Sequence, residues 1–180
     1  MIGIIDYGVG NVSAFQNIYK RANINSQIVS SYEDVSKCSK LILPGVGHFD
    51  HAMTSLLKSG LKEILDEMVI HNQTPVLGIC VGMQMMARFS EEGNVEGLGW
   101  LDADVKKLDI KKLDNKPFLP HMGWNDVIVL KKNNLIDITK KQLFYFLHSY
   151  YIKCDDFKDV VSTSNYGEEF ASIVNKSNIY

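Results

Sequence analysis

The residues best placed to do chemistry are Gly78, Cys80 and Gly82, which lie within Pro75-Val76-Leu77-Gly78-Ile79-Cys80-Val81-Gly82-Met83-Gln84. A short apolar run leads into Gly-x-Cys-x-Gly, and helical composition follows to Arg88. This is the cysteine form of a nucleophile elbow. On such a strand-to-helix turn the nucleophile projects from the carboxyl end of a sheet into a cleft. The flanking positions are glycine because a Cβ there would collide with neighbouring backbone. The helix N-terminus is expected to lower the thiol pKa toward the reactive thiolate, and the Val81 N–H is expected to stabilise an oxyanion. A lone cysteine at a strand end is more often a small buried hydrophobe. The paired glycines favour a nucleophile at Cys80, whereas Cys38 and Cys154 have polar neighbours, no elbow, and read as incidental.

A second segment, Leu41-Ile42-Leu43-Pro44-Gly45-Val46-Gly47-His48-Phe49, places Pro-Gly-x-Gly after an apolar run. Alone this is an ordinary turn. At the carboxyl edge of the sheet that carries Cys80, it could supply a second oxyanion donor. Gly8 and Gly10 follow the first apolar run in the manner of a dinucleotide loop. The third glycine is missing, however, and no acid falls at the expected place, so no cofactor is expected.

The elements that must hold these residues are legible from periodicity. Ile2–Asp6 reads as a strand, and Val12–Ala22 as a helix with Val12, Phe15, Ile18 and Tyr19 on one face. Gln27–Val29 and Lys40–Leu43 read as strands, the latter stopped by Pro44-Gly45. Phe49–Ile70 reads as a helix broken at Gly60, Pro75–Ile79 as a buried strand, and Val81–Arg88 as a helix. Alternating strands and helices predict a mostly parallel sheet covered on both faces. In the second half Leu101–Leu108, Asp126–Leu130, Leu143–Ile152, Val160–Ser164 and Phe170–Val174 read as strands with little helix between them. Tyr166-Gly167-Glu168-Glu169 forms a hairpin connection between the last two. The expectation is an α/β fold whose central, mostly parallel sheet carries antiparallel strands in the second half, in a single domain over 1–180.

Composition narrows the function. With 46% hydrophobic and 22% charged residues in 180, the chain is a folded domain rather than a disordered one. Its 19 basic and 21 acidic side chains argue against nucleic-acid or anionic-membrane binding through bulk charge. The lysines crowding 106–116 and 131–141 are interleaved with aspartates and read as solvated edges. Three scattered cysteines suit neither a disulfide framework nor a metal site. The apolar N-terminus lacks the form of a signal peptide, and no apolar run reaches membrane-spanning length, so a cytoplasmic setting is expected.

Five segments occur in order: Ile5-Asp6-Tyr7-Gly8-Val9-Gly10-Asn11, Leu43–Gly47, Leu77–Gln84, His121-Met122-Gly123-Trp124-Asn125 and His148-Ser149-Tyr150-Tyr151. Together they resemble the class I (triad) glutamine amidotransferases, and within them the glutaminase subunits of imidazole glycerol phosphate synthase, over the whole chain. The elbow is common to the class, and the two histidine-led segments are specific to those subunits. The resemblance implies a three-layer fold and a Cys80 nucleophile that attacks the glutamine side-chain amide, releases ammonia and leaves a glutamyl thioester for water to hydrolyse. It implies an oxyanion hole at Val46, Gly47 and Val81, and glutamine binding at Gly45, Gly47, Gln84, Ser149 and Tyr150. It also implies that Trp124 and Asn125 face a (β/α)8-barrel synthase subunit, which receives the ammonia for histidine biosynthesis. No metal or cofactor is implied.

One feature departs from that pattern. The family's general base lies in a Phe-His-Pro-Glu segment, and no His-Pro-Glu occurs in these 180 residues. His48, His51, His71, His121 and His148 occupy other positions and read as helix-end or packed residues. A chain truncated at its C-terminus, with one flank of the sheet under-covered, is the expectation. Two alternatives remain: an ammonia-supplying subunit for a sugar amidotransferase of surface-polysaccharide synthesis, suggested by Tyr19-Lys20-Arg21 and Tyr145-Phe146-Leu147-His148, or a catalytically incomplete partner-binding subunit.

Overall fold

The computed structural model describes residues 1–109, 111, 118–137, 139–140 and 142–180. Much of the lysine-rich stretch 106–116 lies outside them.

The first half builds a four-stranded parallel sheet, ordered β2-β1-β3-β4, from β1 (Ile2–Ile5), β2 (Ser26–Val29), β3 (Lys40–Gly45) and β4 (Val76–Cys80). These strands are short and rich in Ile, Leu and Val because both faces are covered. α1 (Val12–Arg21) and α2 (Tyr32–Ser36) pack beside β1 and β2, while α5 (Val81–Met85) lies on β3 and β4 and contacts α3 (Phe49–Ser59). Side-chain oxygens cap two of these helices: Asn11 accepts from the Ala14 N–H, and Ser31 from that of Asp34. Gly60, at φ 72°, ends α3 in the left-handed region, as its sequence position suggests. Beyond it α4 (Lys62–Asp66) runs into a π-helical turn at Glu67–His71.

The second half forms its own six-stranded antiparallel sheet, ordered β5-β8-β10-β9-β6-β7. Its strands are β5 (Ala103–Lys107), β6 (His121–Val129), β7 (Gln142–His148), β8 (Tyr150–Cys154), β9 (Val160–Tyr166) and β10 (Glu168–Val174). Gly167, at φ 76°, makes the β9–β10 turn. One apolar core joins the two sheets: Ile5, Leu41, Leu43, Phe49, Met53 and Leu56 are continuous with Trp100, Val105, Ile152 and Val174. The buried Trp100 indole donates to Asp66 at 2.7 Å, which satisfies its polar edge. Along the edge of β4 away from β3, the Val76 and Gly78 N–H groups donate to the carbonyls of Asn178 and Tyr180, and the Tyr180 N–H donates to the Val76 carbonyl.

Five details differ from the sequence expectation. β3 continues through Pro44-Gly45 to pair with Cys80, because its edge at that point faces β4 and needs no Pro44 N–H in the β4 ladder. The elbow helix ends at Met85 rather than Arg88; its last turns give way to a chain whose Gly97, Leu98, Gly99 and Leu101 amides take the carbonyls of residues 85–88. The stretch Leu143–Ile152 is two strands separated at Ser149, and β6 begins at His121, five residues before the expected Asp126. The short α2 was not expected, its five residues being too few to show a period.

Candidate active site

The elbow is strained at Cys80 itself. Cys80 has φ 57° and ψ −122°, a conformation that costs a non-glycine residue about 1–3 kcal/mol. Close packing holds it there. A Cβ on Gly82 would sit 1.9 Å from the Leu43 carbonyl oxygen, and one on Gly45 would sit 2.3 Å from the Gly82 nitrogen. These two glycines therefore let α5 press against the end of β3. Gly45 is the register partner of Cys80, and Val46 and Gly47 follow it directly in the chain. Val46 is half exposed, and Gly47 has φ 81°. From below, the Tyr7 hydroxyl donates to the Pro44 carbonyl at 2.7 Å and contacts the Met85 sulfur at 3.4 Å, tying β3 to α5.

Cys80 is solvent-exposed at its surface, but its sulfur is crowded by protein. That crowding raises the thiol pKa above its ordinary value; the Val81 N–H pulls it back, and the Glu92 carboxylate pushes it further up. The expected lowering by a helix N-terminus is not what the structure shows. α5 has only five residues, and desolvation of the thiol outweighs the lowering by the Val81 N–H at its start. Glu92 is held near by accepting the Phe49 N–H at 2.8 Å.

Cys80, Gln84, His148, Tyr150 and Tyr180 line one cleft of about 460 Å³, walled on its apolar side by Phe144, Phe146 and Phe170. Gln84 is buried, and its amide donates to the Tyr150 carbonyl at 3.1 Å, fastening the elbow helix to β8. Ser149 interrupts β7 and β8 immediately before Tyr150. Trp124 lies elsewhere: alternation along β6 turns it to the outer face, 68% exposed and edge-to-face with Tyr145 at 5.8 Å. Asn125 turns the other way, toward His121 and the Asn165 carbonyl. The two expected interface residues thus serve opposite faces of one strand.

The histidines separate into two groups. His48, His51 and His71 are exposed on helical segments, with His48 capping α3 by accepting from the Asp50 N–H. His121 and His148 hydrogen-bond each other at 2.9 Å. Among the described residues no group of three or more His, Cys, Asp or Glu side chains is placed to hold a metal ion. Tyr7 and Glu92 were not singled out from sequence. Tyr7 lies within the Ile5–Asn11 segment without being marked there, and nothing local marked Glu92, whose role depends on a contact 43 residues away.

Residues 3–180 match the family model "Glutamine amidotransferase class-I". The chain belongs to the class I glutamine amidotransferases. Among curated members, "Imidazole glycerol phosphate synthase subunit HisH" of Leptospira borgpetersenii is 48% identical over 181 residues, covering 100% of this chain and 89% of the relative. The subunit HisH 2 of Methanococcus maripaludis is 47% identical, covering 100% of this chain and 88% of the relative. A glutamine amidotransferase crystal structure matches with a TM-score of 0.72 at 17% identity, covering 99% of this chain and 86% of that one. This amidotransferase therefore has the expected three-layer fold, with its strained cysteine at the point where the parallel sheet meets the antiparallel one.

Proposed function

We propose that the chain is the glutaminase subunit of an imidazole glycerol phosphate synthase, releasing ammonia from glutamine for histidine biosynthesis. The observation that carries the chemistry is Cys80 at φ 57°, locked between Gly45 and Gly82 at the mouth of a cleft. In this reading the Cys80 sulfur attacks the glutamine Cδ, the amide π electrons move to oxygen, and the oxyanion lies against the Val81 N–H and the Val46–Gly47 backbone. Collapse of that tetrahedral adduct breaks the C–N bond: the departing amide nitrogen takes up the proton that the thiol gave up and leaves as ammonia, and the Cys80 glutamyl thioester remains. Water then adds to the thioester carbonyl, and glutamate departs with the sulfur restored. Gln84 and Tyr150 line the cleft beside Cys80, and in this reading Gly45, Gly47 and Ser149 complete the site that receives the amino acid.

None of the five histidines hydrogen-bonds the sulfur among the described residues, and the thiol pKa is raised. Steady-state glutamine hydrolysis by these 180 residues alone is therefore expected to be slow, while a glutamine analogue with an electrophilic diazo-ketone labels Cys80. Hydrolysis at rates usual for an activated glutaminase would contradict this account of the histidines.

The partner is a synthase subunit that consumes ammonia, and we infer that it is a (β/α)8-barrel seated on the outer face of β6 and β7 in the cytoplasm. Met122, Trp124, Tyr145 and Leu147 expose an apolar surface there, each more than half accessible. Co-purification with the candidate synthase, lost on substituting Trp124, tests that placement.

A further inference from the structure

A chain of hydrogen bonds runs from β6 to the floor of the cleft, and its proton positions can be deduced from both ends. At one end the Tyr150 carbonyl can only accept, so His148 Nδ1, 2.9 Å away, carries a proton. If the ring is neutral, His148 Nε2 is bare and accepts from His121 Nδ1 at 2.9 Å. His121 Nε2 is then bare as well. At the other end Asn125 has a fixed orientation, because its Oδ1 accepts the Asp126 N–H at 2.8 Å and its Nδ2 donates to the Asn165 carbonyl at 2.8 Å. Its amide nitrogen therefore faces His121 Nε2, 3.2 Å away, and requires that nitrogen to be bare. The two deductions agree. Every bond in the chain points the same way, from Asn125 through His121 and His148 to Tyr150.

The rings cannot readily turn away from this arrangement. His121 is buried between the rings of Phe146, at 5.0 Å and 20°, and Tyr166, at 4.2 Å and 22°. His148 packs against Phe170 at 5.0 Å. The Tyr150 carbonyl at the end of the chain also accepts from Gln84, so one oxygen collects the hydrogen bonds that place β8 against the elbow helix.

We propose that His121 and His148 are positioning residues for the glutamine pocket: a neutral pair, both protonated on Nδ1, that fixes the Ser149–Tyr150 backbone and Gln84 relative to Cys80. This rests on the glutaminase reading for the identity of the ligand, but not for the geometry. A charged imidazolium at either position would present N–H to N–H and break the chain. Burial holds both rings below the usual histidine pKa, His121 down to about 4, in keeping with the neutral form.

The test has two arms on the 180-residue chain. Nitrogen-15 NMR of the histidine rings near neutral pH is expected to show a protonated Nδ1 and a bare Nε2 on both residues. The Gln84 side-chain amide and Tyr150 carbonyl resonances are expected to move in His121→Phe, which keeps the stacked ring, and to return in His121→Asn, which keeps a donor near the Nδ1 position. Protonated Nε2 on either ring, or Gln84 and Tyr150 resonances unmoved by His121→Phe, overturns the proposal. In the second arm, the half-saturating concentration of a diazo-ketone glutamine analogue for Cys80 labelling rises about tenfold in His121→Phe, as expected for one lost buried hydrogen bond. It stays near the wild-type value in His121→Asn, and alkylation by iodoacetamide is unchanged in both. An unchanged half-saturation in His121→Phe also overturns the proposal. If the analogue leaves wild-type Cys80 unlabelled, the glutaminase reading fails, and the NMR arm decides the positioning role by itself. Should His121→Phe fail to fold, the tautomers of the wild-type rings decide it.

Discussion

At the scale of single residues, the chemistry of Cys80 is governed by two opposed effects, strain that exposes the sulfur and crowding that keeps it protonated. Because crowding prevails, the rate of Cys80 alkylation by iodoacetamide should rise with pH and inflect above the value for a free cysteine. A profile inflecting below that value would show that the backbone N–H groups dominate instead. The glycines that permit the strained turn carry a separate prediction. Gly82→Ala puts a Cβ against the Leu43 carbonyl oxygen, 1.9 Å away, where backbone cannot yield. Overpacking of this kind costs about 2 kcal/mol or more, which corresponds to a thermal midpoint lower by roughly 4–8 °C in a chain of this size. A midpoint within a degree of wild type would mean that α5 is free to shift. The sequence disclosed Cys80 and its glycines because sterics at a tight turn leave a local trace. It could not disclose Glu92 or the raised thiol pKa, since both arise from groups brought together by tertiary packing.

At the scale of elements, the parallel half was readable because its strands are short β-branched runs separated by amphipathic helices, each carrying its own period. The antiparallel half was less so. Leu143–Ile152 is apolar or aromatic except at His148 and Ser149, and the backbone turn at Ser149 divides it into β7 and β8. That division matters, because it lets the Tyr150 carbonyl point toward Gln84 while β7 carries His148 on to His121. The same pair makes stability depend on pH. Both histidines have pKa values lowered by burial, so the unfolded chain binds more protons than the folded one below the ordinary histidine pKa near 6.5. Their contribution is intact above that pH and is lost as the pH falls toward about 4, the value to which His121 is lowered. Denaturant titrations across this range should therefore show wild type weakening more than His121→Phe on acidification. Parallel pH profiles for the two would contradict the burial of a neutral pair.

At the scale of the whole molecule, two sheets share one core, and the cleft opens between the edge of β4 and the second sheet. The outer face of β6 and β7 lies on the other side of the hairpin, so alternation along β6 sends Trp124 outward and Asn125 inward to the histidine chain. Trp124→Ala is expected to weaken association with the synthase subunit by about 2 kcal/mol, roughly thirtyfold. The unfolding midpoint of the isolated chain should stay close to wild type, since a side chain 68% exposed contributes little to the fold. Equal affinity for the synthase in titration calorimetry would move the docking surface elsewhere. The family resemblance pointed to Trp124 and Asn125 together from the sequence; that they serve opposite faces of β6 needed the strand register. The central claim is that Cys80 is a glutamine-directed nucleophile, and the most direct measurement is mass spectrometry of the folded chain after exposure to a diazo-ketone analogue of glutamine. The account predicts a single adduct on Cys80, suppressed by excess glutamine, with Cys38 and Cys154 unmodified. An unmodified Cys80, or labelling that glutamine does not suppress, would contradict it.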